Sequence, residues 1–496
     1  MLVNSRLLRF AAALSGAIVL FAPSCAAARQ TTVTGSLGMG YNYWERTYKS
    51  ENAEAYLNDG DRRDWSVWPE IELRSIGIHD LLSLRYRPVL TYDDLRDTTY
   101  VDHYLTLAGQ RSLTRNWNVS LSNNFVLSTD PTRDETPFSR LGHEGTPQGP
   151  ATQNAEQNRD TQLTQNLGRR RYWTNDLTAR TNYTYAADSE VGVGYAYNVL
   201  RNESGDNGIA AEYEEYDRHD FSGLFSYRFN PAWKSNLELH YIEGLYNDNG
   251  VAPTAAAGEA PARLSSDLQE YRADFGVDYN RRVTDTFPLL YKFRETRYDD
   301  YRRNDIWVHE LTVGWDHALD ERTHLIIGGG PAYVDAEDMN GEWVYSLYLT
   351  FTRAYQHANL SARLEKTYAT ENFTGAGDIG LSDIIEARTD LTYRFTEKLS
   401  SGIFGLYRYR AILNPHGEYY QAATGNEVTS TGRNVGDVTY IENGYSAGAN
   451  LDYRFLRWFV ASVRYVYYKQ DADLLRDSYT DNRIMLQLAV TKELWR

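Results

Sequence analysis

The 496-residue chain carries 51 Lys and Arg against 67 Asp and Glu, a formal net charge of −16, and one cysteine, Cys25. Such acidity excludes a chain built to hold nucleic acid, and a lone cysteine excludes a disulfide framework and thiolate metal sites. The mean hydropathy of −0.58 is that of a soluble protein, yet 40 Tyr and 11 Trp beside 13 Pro is an unusual loading for a soluble enzyme. Interfacial aromatics on half-polar strands reconcile the two.

The chain opens with a positive n-region containing Arg6 and Arg9, followed by an apolar run from Phe10 to Phe21 and the small residues Ala26, Ala27 and Ala28. The run is too short for a membrane helix and reads as a secretory signal peptide spanning 1–28, cleaved after Ala28. Losing its two arginines takes the charge from −16 to −18. Lipoprotein processing before Cys25 is the alternative, against which Ala22-Pro23-Ser24 is a poor approach. The segment 29–496 is then one domain.

From residue 32 onward the sequence alternates. Val33, Gly35, Leu37, Met39, Tyr41 and Tyr43 occupy one parity, and Thr32, Thr34, Ser36, Gly38, Gly40 and Asn42 the other. Trp65, Val67, Ile71 and Leu73 then stand against Ser66, Glu70, Glu72 and Arg74. Val191, Val193, Tyr195 and Tyr197 repeat the pattern, as do Ala273, Phe275 and Val277, and near the end Val463, Tyr465 and Tyr467. Successive strand side chains face opposite ways, so each run has one greasy and one polar face. The count is about twenty runs, each long enough to cross the hydrocarbon at a tilt.

Connections alternate in length. Short turns are expected near 75–80, 113–116, 186–189, 230–232, 280–284, 396–398 and 456–457, and long polar segments at 46–64, 130–170, 202–215, 247–267 and 412–437. Short turns on one side and long loops on the other are the signature of a transmembrane antiparallel β-barrel with short periplasmic turns and long extracellular loops. The short turns repeat a phrase: Tyr227-Arg228-Phe229 leading to Trp233, Tyr393-Arg394-Phe395, and Tyr453-Arg454-Phe455 leading to Trp458. Rings leaving one strand and entering the next suit a girdle at headgroup level. The hairpin period also fits a propeller blade, although blades would bury aromatics on both faces where this chain carries charges.

In these phrases and in its whole-length alternation the chain resembles bacterial outer-membrane porin-like barrels, and in particular the β-barrel porin type 2 group. The resemblance implies an outer-membrane channel of a Gram-negative bacterium, embedded among outer-membrane lipid and lipopolysaccharide and inserted by the barrel assembly machinery, with a periplasmic export partner as an option. One departure concerns the last strand: its greasy parity (Ile484, Leu486, Leu488, Val490) runs to Leu494 rather than to the aromatic Trp495.

A barrel of about twenty strands holds water unless something plugs it. Pore-lining candidates on the polar parity are Arg85 and Arg87, then Arg218, then Glu270, Arg272 and Asp274, then Lys292 and Arg294, then Glu386, Arg388 and Asp390, and finally Arg408. Two readings stay open: a wall of cross-strand ion pairs that hydrates the lumen, or a ring that sets ion preference. The 130–170 connection is the third on the long side, and its length suggests either disorder or a segment folded into the lumen. Its constriction candidates are Asp134, Glu135, Arg140, His143 and Glu144.

Catalysis has little support. Ten histidines are scattered without a His-Glu-x-x-His motif, a nucleophile elbow or a Walker loop, and His103, His219 and His309 fall on the greasy parity. Asp93-Asp94, Asp299-Asp300 and 471–473 could take calcium but read as solvated turns. The expectation is a porin-like channel for ions or small hydrophilic solutes, not an enzyme, needing no cofactor or metal. Alternatives are a dedicated conduit for an exported polysaccharide or secretion partner, and an enzyme or adhesin on a barrel platform.

Overall fold

The computed structural model describes residues 29–49, 61–129, 171–202, 215–246, 267–299, 304–337, 340–370, 372–373, 381–413, 438–473 and 478–495. The expected signal peptide, Cys25, the whole 130–170 connection with its constriction candidates Asp134, Glu135, Arg140, His143 and Glu144, and Asp300 lie outside the described residues.

Twenty strands form one sheet: β1 (Gln30–Tyr48), β2 (Arg62–Ile76), β3 (Asp80–Asp93), β4 (Thr98–Ser112), β5 (Trp117–Ser128), β6 (Tyr172–Ala186), β7 (Ser189–Asn202), β8 (Tyr216–Asn230), β9 (Trp233–Tyr246), β10 (Leu268–Arg282), β11 (Asp285–Tyr298), β12 (Ile306–Asp320), β13 (Thr323–Ala336), β14 (Glu342–Ala354), β15 (Ala358–Thr370), β16 (Leu381–Arg394), β17 (Leu399–Leu413), β18 (Val438–Leu456), β19 (Phe459–Ala472) and β20 (Tyr479–Trp495). Each pairs antiparallel with the next, and β20 pairs antiparallel with β1, so the sheet closes and has no edge. The shortest strand, β5, has 12 residues. At a tilt near 45° that crosses about 28 Å.

The sequence expected these strands and their alternating connections. Every even strand joins the next odd one through a turn of two to four residues, including two turns the sequence reading passed over, at 321–322 and 355–357. Local chemistry sets them: Asn230 Oδ1 accepts from the amides of Ala232 (2.9 Å) and Trp233 (3.1 Å), and Asp320 Oδ1 accepts from Arg322 N at 2.7 Å. At the other end the expected loop at 46–64 is shorter than its bounds, because β1 runs to Tyr48 and β2 starts at Arg62. The two ends are called the short-turn end and the long-loop end below.

The greasy parity faces outward. Leu37, Met39, Trp65, Val67, Val193, Phe225, Phe275, Val313 and Val463 are all exposed, and Val193 reaches 60%. The repeated Tyr-Arg-Phe phrases sit on this face at the short-turn end. Tyr227 and Phe229 meet edge-on at 4.8 Å, Tyr393 and Phe395 at 4.8 Å, and Trp233 and Trp458 are exposed beside them. The polar parity faces inward, where its larger side chains lie flat against the wall. Tyr348 of β14 covers Gly328 of β13 and Gly314 of β12, at which any Cβ would lie 2.4 Å and 2.2 Å from the tyrosine.

The seam between β1 and β20 is tied from inside. Arg46 donates to Asp481 through both Nε (2.7 Å) and Nη2 (2.8 Å), with the pair buried. The Arg46 guanidinium also lies 4.2 Å from the Tyr479 ring centre. Beside it Trp44 is held between Arg62 and Arg483, each 4.1 Å from its ring centre. A register shift between Val33 and Thr34 sets Trp495 opposite Val33. The expectation that the outer parity ends on Leu494 instead of Trp495 is thereby amended, since the irregularity leaves both side chains 61% exposed.

Candidate functional site: the inner wall and the long-loop mouth

The inward rows follow from the strand registers. Ser222, His240, Arg272 and Arg294 stand opposite one another in succession across β8 to β11, and Leu224, Glu238, Asp274, Lys292 and Glu310 form the next row toward the short-turn end, reaching β12. All twelve pore-lining candidates fall on the inward parity, and most have an ionic partner on the wall. Arg218 donates to Asp220 (3.1 Å) and Asn198 (2.9 Å), and Arg272 donates through Nε to Glu270 at 3.1 Å. Arg294 clamps Asp274 through both terminal nitrogens, and Arg388 clamps Asp390 at 2.7 and 2.8 Å. Glu386 stands directly opposite Arg408, and Lys292 stands between Asp274 and Glu310.

This arrangement answers to the wall of ion pairs. In each clamp the opposite charges are two residues apart on one strand or diagonal across neighbouring strands, as for Arg294 and Asp274, so their fields largely cancel a few ångströms into the lumen. Arg85 and Arg87 are held differently. Arg85 lies 3.9 Å from Glu70 and 3.6 Å from Glu72, beyond hydrogen-bond length, with its side chain 34% exposed, and the Arg87 guanidinium lies 4.6 Å over the Tyr104 ring.

At the long-loop mouth the chemistry changes. Tyr172, Leu200, Tyr216, Ile242, Tyr246, Leu268, Tyr298, Ile306 and Val334 form an apolar cluster on the inward parity of β6 to β13. Asn372 and Phe373, from the connection between β15 and β16, are fully buried in it. Phe373 stacks on Tyr246 at 5.9 Å and meets Tyr216 edge-on at 5.1 Å, with the Arg218 guanidinium 5.4 Å from its ring centre. The Tyr246 hydroxyl donates to the Asn372 carbonyl, the Tyr298 hydroxyl to Asn372 Oδ1 (3.1 Å), and Asn372 Nδ2 donates to Glu270 Oε1 (2.9 Å). Gly244 is the gap that admits the ring, since a Cβ there would lie 2.8 Å from it.

Residues adjoining β15 thus touch β8, β9, β10 and β11, four or more strands around the wall, which a closed barrel permits only through its interior. The sequence reading named the 130–170 connection for an inward segment and missed Asn372 and Phe373. The signal was present in weak form. An aromatic stands among small residues at 372–377, and a glycine at 244 stands inside a strand between the inward Ile242 and Tyr246.

Among the described residues no group of three or more His, Cys, Asp or Glu could hold a metal. Asp93 instead caps its own turn, accepting from Leu95 N (3.1 Å) and Arg96 N (3.3 Å), and Asp471 is paired with Lys49 and Lys469. No helix among the described residues is long and apolar enough to cross a membrane, which says nothing of a barrel.

No protein-family model matches the chain, and no curated protein matches it. Among solved structures it is similar to the siderophore receptor PirA of Pseudomonas aeruginosa, with a TM-score of 0.48 and 10% identity over 93% of this chain and 80% of that one. It is also similar to OccAB4 of Acinetobacter baumannii, with a TM-score of 0.40 and 11% identity over 94% of this chain and 99% of that one. A third is OpdK of P. aeruginosa, solved with vanillate, with a TM-score of 0.40 and 8% identity over 93% of this chain and 99% of that one.

Proposed function

We propose that the chain, after losing residues 1–28 as a signal peptide, is an outer-membrane channel that passes ions or small hydrophilic solutes, with its long-loop mouth narrowed by Asn372 and Phe373. The carrying observation is the division of the wall. One parity of the closed barrel is an apolar belt with aromatics toward its short-turn edge, and the other is a lining of paired charges. An exposed belt on this scale is costly in water and favourable in hydrocarbon, and in hydrocarbon only a structure with every backbone group paired is tolerated. Paired lumen charges keep water inside without binding one ion tightly, which suits passage. Arg85, lying 3.9 and 3.6 Å from Glu70 and Glu72, and Arg87, over the Tyr104 ring, would bias that passage toward anions.

Single-channel recording of the purified protein in planar bilayers tests the reading. Discrete conductance steps are expected, together with an outer-membrane fraction that migrates heat-modifiably. A protein recovered wholly in the soluble periplasmic fraction, or a folded barrel without conductance, rejects it.

A further inference from the structure

On the inner wall charge meets counter-charge, but at the short-turn end a run of cations stands without any. In two of the three Tyr-Arg-Phe phrases the arginine, Arg394 of β16 or Arg454 of β18, is exposed and its side chain makes no hydrogen bond or ion pair among the described residues. In the third, Arg228 pairs with Asp188 at 2.6 Å. Lys398 and Arg457, in the adjoining turns, and Lys492 of β20 are likewise exposed and without an ionic partner among the described residues. Backbone bonds place all five along one edge. The Arg454 amide donates to the Lys398 carbonyl (2.8 Å), and the Thr491 amide, next to Lys492, donates to the carbonyl of Trp458 (3.0 Å), next to Arg457. Thr396 Oγ1 fixes the β16–β17 turn by accepting from the amides of Lys398 (3.1 Å) and Leu399 (3.0 Å).

The acids nearby do not cancel them. Glu397 and Glu493 share the edge, both exposed, and neither forms an ion pair with these cations. Asp452 is turned to Ser462 (2.6 Å) and Asn450. The short-turn edge of β16 to β20 is therefore net positive on a chain whose formal net charge is −16, and like charges this close add their fields. Arg394 is the last residue of its strand, and Arg454 lies within the register irregularity between Tyr453 and Leu456, so no regular ladder holds either to the inner face. Rings stand beside the cations on the outer face: Tyr393, Phe395, Tyr453 and Trp458 are all exposed, and the Lys492 ammonium lies 5.9 Å from the Trp458 ring centre. Exposed aromatics at the rim of an apolar belt sit at headgroup depth, where long cationic side chains carry their charge out of the hydrocarbon.

We propose that this edge is a docking surface for an anionic phospholipid of the leaflet at the short-turn end, its phosphate held by Arg394, Lys398, Arg454, Arg457 and Lys492 while its acyl chains lie against the neighbouring rings. Cations and apolar rings share one edge, and a lipid answers to both in one molecule, whereas a soluble acidic protein answers only to the cations. A zwitterionic lipid carries its own ammonium and gains less from the surplus. The proposal rests on the membrane placement proposed above.

The test uses mature full-length protein in neutral detergent, with phosphatidylglycerol and phosphatidylethanolamine as probes and native mass spectrometry as readout. Wild type is expected to retain phosphatidylglycerol in excess over phosphatidylethanolamine. The edge variant Arg394→Gln, Lys398→Gln, Arg454→Gln, Arg457→Gln, Lys492→Gln is expected to lose about half or more of that excess. A control variant, Arg115→Gln, Arg281→Gln, Arg282→Gln, removes exposed cations at other short turns and is expected to keep most of it. Equal excess in wild type and the edge variant, or an equal loss in both variants, overturns the proposal. Should the edge variant fail to close, as shown by loss of heat-modifiable migration, the double variant Arg454→Gln, Arg457→Gln carries the same comparison. Retention of polyglutamate that depends on these cations, without any phosphatidylglycerol excess, overturns the lipid in favour of an acidic protein. A wild-type protein that does not insert into vesicles at all overturns the membrane placement, and this proposal with it, whereas one that inserts without the excess overturns this proposal alone.

Discussion

The ring of Phe373 lies parallel to that of Tyr246, their planes 6° apart and their centres separated by 5.9 Å, although one belongs to the β15–β16 connection and the other to β9. The contact spans the barrel mouth and is held by three hydrogen bonds through Asn372. Removing the ring removes the anchor that keeps this segment inside. Phe373→Ala is therefore expected to raise single-channel conductance, by about twofold if the segment sits at the narrowest section. Unchanged conductance would assign the contact to wall stability alone.

Gly244→Val provides an independent route to the same state. A side chain at this position starts 2.8 Å from the Phe373 ring, so the ring must leave its seat. The variant should conduct like Phe373→Ala although the two substitutions share no chemistry, and recordings of both in one bilayer system make the comparison.

Arg85 and Arg87 bear on selectivity. Converting both to Gln leaves Glu70 and Glu72 without their nearest opposing charge, so reversal potentials across a salt gradient should move toward cation preference. The shift should fade in molar salt, where the screening length is about 3 Å. A potential unmoved at low salt would leave these arginines a structural role only.

The division of the wall predicts an asymmetry between neighbours on β10. Phe275 is exposed on the outer face, and Gly276 faces inward with no other side chain nearer than 3.8 Å to an added Cβ. Phe275→Arg should cost about 2–4 kcal/mol against hydrocarbon, whereas Gly276→Arg reaches water. Barrel yield in outer membranes should fall for the first and hold for the second, and equal yields would place the belt elsewhere.

Breaking the buried Arg46–Asp481 pair from one side strands a charge. Arg46→Ala is expected to cost about 3–5 kcal/mol in denaturant titrations of the folded barrel, and Arg46→Met with Asp481→Leu to recover much of it. Additive losses would mean the two residues act independently.

Most of the fold was legible because a barrel writes its two environments on alternate residues. Phe275 beside Asp274, or Val193 beside Gly194, can be assigned to a face with no knowledge of neighbours. The terminal register was not, because parity reasoning assumes a regular strand and the shift between Val33 and Thr34 breaks that rule once. The inner mouth was least legible. Loop length pointed to 130–170, while the buried contact is made by two residues of a short connection whose partners lie on four other strands. Nothing local in Asn372-Phe373 encodes which wall it meets; only the closed sheet brings Tyr216, Tyr246 and Tyr298 to it. The outer-face pairs of Tyr86 with His103, Tyr195 with His219 and Tyr291 with His309 lie between these cases: each half was visible on the outer parity, but the shared offset appears only once β3–β4, β7–β8 and β11–β12 are in register.

The seam gives the molecule an order of events. Every other pairing joins strands adjacent in sequence, so nineteen registers can form hairpin by hairpin, whereas Ser36 meets Thr491 across 455 residues. On an unpaired chain, bringing those ends together would cost about 5 kcal/mol of entropy, against about 1 kcal/mol for a four-residue turn, so the seam waits until the intervening strands have paired. Closure is thus the slow, late event, and before it β1 and β20 are two bare edges able to pair with another chain. The Arg46–Asp481 clamp and the Trp44 stack reward only the correct ends once they have met. Weakening them should lengthen the life of the open sheet, and with it the interval in which a nascent barrel can add a neighbour's strand, while leaving the conductance of every barrel that does close unchanged.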